Sequence, residues 1–229
     1  MRFLFYFLFL MRKRIVVFAS GSGTNFEEIA RKSKENYIDG EVSLLISDRA
    51  DAPVIKRAEK FGIPSIVISW QDKRTAEEKA DTILKKINPD VIALAGFMRI
   101  LSPEFVSKWK FKILNIHPSI LPAFQGTTKA IERAKKYGVR VTGCTVHFVD
   151  ESVDGGPIIA QGIVLVSPND SEEKIRQKIQ KLEHVMYPWV IKKFLEGKIK
   201  ISEDRRNVVV LDADYNEEEK IFITNPKIE

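Results

Sequence analysis

The sequence predicts an α/β protein: a Rossmann-like, open, mostly parallel sheet with helices on both faces, extended by antiparallel strands in the C-terminal half. Three observations predict it. Short β-branched apolar runs alternate with amphipathic helical stretches through the first half, each run continuous enough for a strand buried on both faces. Glycine, or asparagine followed by proline, punctuates the changes of pattern. The later runs are longer, alternate apolar with polar residues and are separated by the turn-rich "ESVDGG", as in antiparallel pairing.

Taken in order, "RIVVFAS" (14–20) is the first strand, and "GSGTNFEEIARKSKEN" supplies a glycine turn, a Thr/Asn cap and a first helix. "EVSLLISD" is a second strand and "APVIKRAEKFG" a second helix closed by Gly62. "IPSIVIS" is a third strand, "TAEEKADTILKKIN" a third helix ended at Asn88-Pro89, "DVIALAG" a fourth strand and "KILNIH" a fifth. "VTGCTVHFVD" and "GPIIAQGIVLVS" form the antiparallel pair. Residues 171–197 read as one long amphipathic helix with Ser171, Glu172 and Glu173 at its start, and "KIKIS" with "NVVVLD" as a terminal hairpin. Residues 1–11 are expected to be an extension, disordered or non-native. Their apolar run falls short of the roughly 20 residues that span a bilayer, no small-residue cleavage site follows, and Met11 opens "MRKRIVVFAS" directly into a strand. Residues 204–229 are expected to be a peripheral tail.

A formal net charge of +6 in 229 residues suits anionic small molecules. Lysines and glutamates interleave, as in "EEKADTILKK" and "SEEKIRQKIQK", with no dense basic tract, which argues against nucleic acid as a partner. No membrane association is expected. The single cysteine, Cys144, leaves no disulfide framework, and the three histidines are too scattered to spell a metal site, so no metal is expected. A reducing, cytoplasmic compartment fits, and a monomer or homodimer is expected.

Two stretches carry chemistry. In "FASGSGTNF" a glycine-rich turn joins a strand to a helix, bringing backbone N–H groups and a helix N-terminus to the carboxyl edge of a parallel sheet. Gly21-Ser22-Gly23-Thr24-Asn25 lacks the third glycine of a dinucleotide fingerprint and the Gly-Lys-Ser/Thr of a P-loop, which favours a single phosphate ester. In "KILNIHPSILPAF", Asn115 and His117 lie two apart in a strand and share a face, and Pro118 ends the ladder just beyond them. Two buried polar groups without partners would cost several kcal/mol. A carboxamide and an imidazole aimed together suit the holding of negative charge on a carbonyl oxygen during acyl transfer. A carboxylate is needed to keep the imidazole cationic; Asp154 is the candidate, with Asp150 and Glu151 as rivals.

"FASGSGTNF", "LAGFMRIL", "NIHPSILPAF", "HFVDESVDGGPII" and "LEHVMYP" together closely resemble the phosphoribosylglycinamide formyltransferases, folate-dependent enzymes of purine synthesis, over about residues 12 to 203. The resemblance implies formyl transfer from 10-formyltetrahydrofolate, as co-substrate, to the glycinamide amine, with the phosphoribosylglycinamide and the folate as small-molecule partners. By that resemblance Asn115, His117 and Asp154 are the catalytic triad, Gly23, Thr24 and Asn25 hold the ribose phosphate, and Glu183 contacts the glycinamide substrate. The folate would lie along Met98, Arg99, Ile100 and Leu101 and against the loop from Asp150 through Val153 to Asp154, with Arg74 near its tail. Residues 12–203 then form the catalytic domain, 12–100 its phosphate-binding half and 101–203 its folate-binding and catalytic half. One departure stands out: after "LPAF" the family usually shows Pro-Gly-Leu-His, whereas this chain has Gln125-Gly126-Thr127-Thr128. Gly126 can keep the bend, and the lost histidine is expected to modulate the triad and leave its function in place. Methionyl-tRNA formyltransferase and formyltetrahydrofolate deformylase share the Asn-x-His and distal Asp. The first would add a C-terminal domain and an Arg-Gly-Ala-Ala-Pro loop. The second would carry an N-terminal regulatory domain and have no use for the phosphate turn. Neither is expected here. A non-catalytic folate or nucleotide sensor of the same fold is the reading from a different class, and the intact triad argues against it.

Overall fold

The computed structural model describes residues 12–204 and 207–213. The N-terminal extension and the tail beyond 213 lie outside the described residues. Eleven residues after the start of β1 (Lys13–Phe18) the chain enters α1 (Thr24–Lys34), and β2 (Gly40–Ser47), α2 (Pro53–Phe61), β3 (Ser65–Val67), α3 (Lys73–Ile87) and β4 (Val91–Leu94) continue the alternation. There follow α4 (Pro103–Lys108), β5 (Ile113–His117), α5 (Ala130–Tyr137), β6 (Val141–Phe148), β7 (Ile158–Leu165), α6 (Glu172–Leu195) and the hairpin β8 (Ile199–Ile201) and β9 (Val208–Val210).

Seven strands form one sheet in the order β3-β2-β1-β4-β5-β6-β7. Strands β1 to β5 pair in parallel, while β5–β6 and β6–β7 pair antiparallel, as expected. The buried strands show why their runs are continuously apolar. Ile15, Val17 and Ala19 face one core with α1, α2 and α6, while Val16 and Phe18 face a second core with α3 and α4. The same split divides Val91 and Ala93 from Ile92 and Leu94. The direction of winding reverses between β1 and β4, so their carboxyl ends open a crevice at the switch point.

Three expectations need correction. β3 is an edge strand of three residues, all exposed, and is not buried on both faces. The first helix has no Thr/Asn cap: Gly23 is its N-cap, at φ 74°, with no side-chain cap bond. Helices α4 and α5 interrupt stretches that carried no assignment. Among the described residues no helix is long and apolar enough to cross a membrane.

Candidate active site

A cavity of about 380 Å³ opens at the carboxyl ends of β1, β4 and β5, within the size range of small-molecule sites. The turn after β1, the segment after β4, the end of β5 and the loop between β6 and β7 contribute to its wall, and one face of α6 closes it.

Gly23 makes the turn after β1. Its φ of 74° suits glycine, and a Cβ there would lie 2.3 Å from Val54 Cγ2, so α1 can start only because this residue has no side chain. With no side chain capping α1, its first-turn N–H groups remain directed at the cavity. Asn25 turns away from capping and donates Nδ2 to Glu183 Oε2 at 2.9 Å, while its own Oδ1 is buried without a hydrogen-bond partner. Burial pushes the Glu183 carboxyl pKa above its ordinary value against the opposing bond from Asn25. The two side chains thus join the glycine turn after β1 to α6 inside the cavity.

On the opposite wall Met98 N donates to Ser20 Oγ at 2.8 Å, and Arg99 Nε donates to the buried Asp48 Oδ2 at 2.6 Å. Met98 and Ile100 expose their side chains at the mouth, and Leu101 lies deeper along the same wall. Ser102, which caps α4, is anchored through its N–H to Glu77 Oε1 at 2.7 Å, so the segment 98–101 is held at both ends.

At the end of β5, Asn115 and His117 both line the cavity, and Asp154 reaches them from the β6–β7 loop. Asp154 Oδ2 lies 3.4 Å from His117 Nδ1, and Asn115 Nδ2 donates to Asp154 Oδ1 at 3.4 Å. The other imidazole nitrogen, Nε2, lies 3.1 Å from the Phe124 carbonyl. A ring with an acceptor at each nitrogen satisfies both only when doubly protonated. The carboxylate at the imidazole is Asp154; of the rival acids, Asp150 accepts from Ser152 N at 2.9 Å within its own turn and Glu151 is exposed. Asp150 and Val153 both line the cavity beside it.

Reading the spacing of histidines missed one participant. His147, on β6, is the register partner of Asn115, and its Nε2 lies 3.1 Å from Asn115 Nδ2. Its Nδ1 lies 2.8 Å from the Phe148 carbonyl, which can only accept, so Nδ1 carries the proton and Nε2 accepts from the carboxamide. Burial lowers the pKa of this ring, in keeping with the neutral tautomer. One predicted residue is not brought to the cavity: Arg74 lies in the first turn of α3, highly exposed, with its Nε 3.0 Å from Glu78 Oε1. In the divergent stretch, Gly126 takes φ 69°, as its bend requires, and Thr127 and Thr128 line the cavity.

A family model described as formyl transferase matches residues 13–191. The phosphoribosylglycinamide formyltransferase of Bacillus subtilis (strain 168) is 45% identical over 186 residues, covering 80% of this chain and 95% of the relative. The enzyme of the same name from Escherichia coli (strain K12) is 42% identical over 195 residues, covering 83% of this chain and 91% of its own length. The crystal structure of glycinamide ribonucleotide transformylase 1 from Symbiobacterium toebii superposes with a TM-score of 0.83 at 40% identity, covering 87% of this chain and 94% of that one.

Proposed function

Because the chain belongs to the formyl transferase family, we propose that it transfers the formyl group of 10-formyltetrahydrofolate to the amine of 5-phosphoribosylglycinamide, a step of purine biosynthesis. The observation that carries this reading is the meeting of Asn115, His117 and Asp154 in a cavity shared with the glycine turn after β1 and the apolar end of β4.

The residues fit both substrates. The first-turn amides of α1 with Gly23, Thr24 and Asn25 suit a phosphate ester. Glu183, across the cavity, meets the glycinamide portion. Met98, Arg99, Ile100 and Leu101 offer a flat, largely apolar wall with backbone groups along it, and Asp150 and Val153 flank the other side of a pterin-like ring. Arg74 meets only the part of a folate tail that leaves the cavity. Residues 12–100 supply the phosphate site and most of the apolar wall, and 101–203 supply Asn115, His117, Asp154, Glu183 and the flanking loop.

The folate supplies an activated one-carbon carbonyl, and the chain's own groups act on its oxygen. Asn115 Nδ2 has two hydrogens. One is engaged by His147 Nε2, and the second makes only the 3.4 Å contact with Asp154, so it is the one free to turn to the formyl oxygen as charge builds there. His117, with acceptors at both nitrogens, acts as a cation fixed beside that oxygen. Asp154, partly open to solvent, takes up the proton that the attacking amine sheds, directly or through water, and a proton passes by the same route to the folate nitrogen as its bond to the formyl carbon breaks and tetrahydrofolate leaves. The attack is direct, with no covalent enzyme intermediate.

The test is a formyl-transfer assay on the full chain with both substrates. Formylated phosphoribosylglycinamide should form in step with loss of the donor. Release of formate without the amine would identify a hydrolase, and ligand binding without turnover would identify a sensor; either result overturns the reading.

A further inference from the structure

Building on the formyl-transfer reading, we propose that Gln125 is a positioning residue whose side-chain amide clasps the loop from Asp150 to Gly156 and so keeps Asp154 at His117. The segment 124–126 touches two members of the triad. The Phe124 carbonyl lies 3.1 Å from His117 Nε2, and the Gly126 N–H donates to Asp154 Oδ2 at 3.1 Å. Between these two contacts Gln125 Nε2 donates to the Val153 carbonyl at 2.7 Å, the shorter of the two bonds that tie the segments together. Only the amino end of a carboxamide can face a carbonyl, so the orientation of this amide is unambiguous.

Val153 immediately precedes Asp154, and its carbonyl belongs to the peptide plane that enters Asp154. Holding that carbonyl therefore fixes where the Asp154 side chain starts. The need for holding is visible in the backbone. Asp154 sits at φ 53° and Phe124 at φ 57°, left-handed conformations that non-glycine residues keep only when their surroundings enforce them. Packing agrees: a Cβ on Gly155 would lie 3.1 Å from Gln125 Nε2 and 2.4 Å from Ser152 Oγ, so the loop closes down on the amide where it has no side chain.

Gln125 is exposed, so its replacement tests function with little risk to folding. Gln125→Met keeps the length and removes the donor; Gln125→Lys keeps a donor. In Gln125→Met, kcat should fall about fivefold, the size expected for one neutral hydrogen bond, with the KM for phosphoribosylglycinamide unchanged. Amide exchange should quicken across residues 150–156, and Tm should move by less than about 2 °C, as for an ordinary surface change. Gln125→Lys should restore kcat and slow exchange. Wild-type kcat and exchange in Gln125→Met overturn the proposal, as does an equal loss in both variants with a lowered Tm, which marks general packing. If the wild-type chain transfers no formyl group, the functional reading falls alone. The exchange arm still decides the clasp, and unchanged exchange in Gln125→Met overturns it.

Discussion

His117 has the Phe124 carbonyl at one ring nitrogen and the Asp154 carboxylate at the other, so its replacement removes the ring that these two acceptors hold at the end of β5. His117→Ala should lower kcat by at least about 10²-fold, the range for loss of one group that stabilises an oxyanion. Folate affinity, measured by titration, should stay within about twofold, because the apolar wall at residues 98–101 is untouched; a near-wild-type kcat would contradict the assignment. Glu183 yields a prediction of opposite character. Burial raises its pKa, so the folded chain holds the proton more tightly than the unfolded chain does. The resulting stability is present below the ordinary carboxylate pKa and is lost as pH rises through the raised value. Glu183→Gln cannot ionise and can still accept from Asn25 Nδ2. Its Tm should match the wild type near pH 4 and exceed it at pH 8. A Tm difference independent of pH would refute the ionisation argument. The KM for phosphoribosylglycinamide should rise in the same variant if Glu183 meets that substrate.

At the scale of elements, one buried hydroxyl bonds α6 to two strands of the sheet beneath the site. Tyr187, fully buried, places its OH 3.0 Å from the Leu94 carbonyl of β4 and 2.9 Å from the Leu114 carbonyl of β5, just before Asn115. Tyr187→Phe leaves both carbonyls without that partner in a dry interior. The unfolding free energy should fall by ~1–3 kcal/mol in urea with m unchanged. A change under about 0.5 kcal/mol would mean that the carbonyls find other donors. The elements also show where sequence reading reaches its limit. The long helices and buried strands were legible because each has a face to bury, and period 3.6 or an unbroken apolar run records it. Helix α4 has six residues, too few to show a period, although Ser102 followed by Pro103 is a start signal that could have been read. Helix α5 has no capping side chain at Lys129 and so gave no such signal. Asn115 and His117 declared themselves because they share a strand face. His147 did not, because its partnership with Asn115 runs across the β5–β6 register, which spacing along the chain does not record. Gly23 stands at the N-cap in place of the expected Thr/Asn because the helix already begins at Thr24, and the tight turn before it, at φ 74° against Val54, admits only glycine.

Across the whole molecule, the glycine turn after β1 belongs to residues 12–100 and Asn115, His117 and Asp154 to residues 101–203, yet neither half owns a core. One apolar cluster contains Ile15 and Phe26 together with Val146 and Tyr187, and the other joins Val16 and Leu84 to Ile113. The sheet itself passes from one half to the other through the parallel β4–β5 ladder. Separating the halves would expose both clusters, so the chain should unfold in a single cooperative step. Its tryptophans can report this from both faces of the sheet, Trp70 and Trp109 from the second cluster and Trp189 from beside the first. Fluorescence and far-ultraviolet circular dichroism should give coincident urea transitions, and two separated transitions would mean that the halves are independent units. A substrate gripped by both halves binds only the intact molecule. Phosphoribosylglycinamide at 100 times its Kd should therefore shift the whole transition by about 2.7 kcal/mol, with both probes moving together. A shift seen by one probe alone would place the grip within one half, and the shared cavity would then no longer explain why the sheet is continuous beneath it.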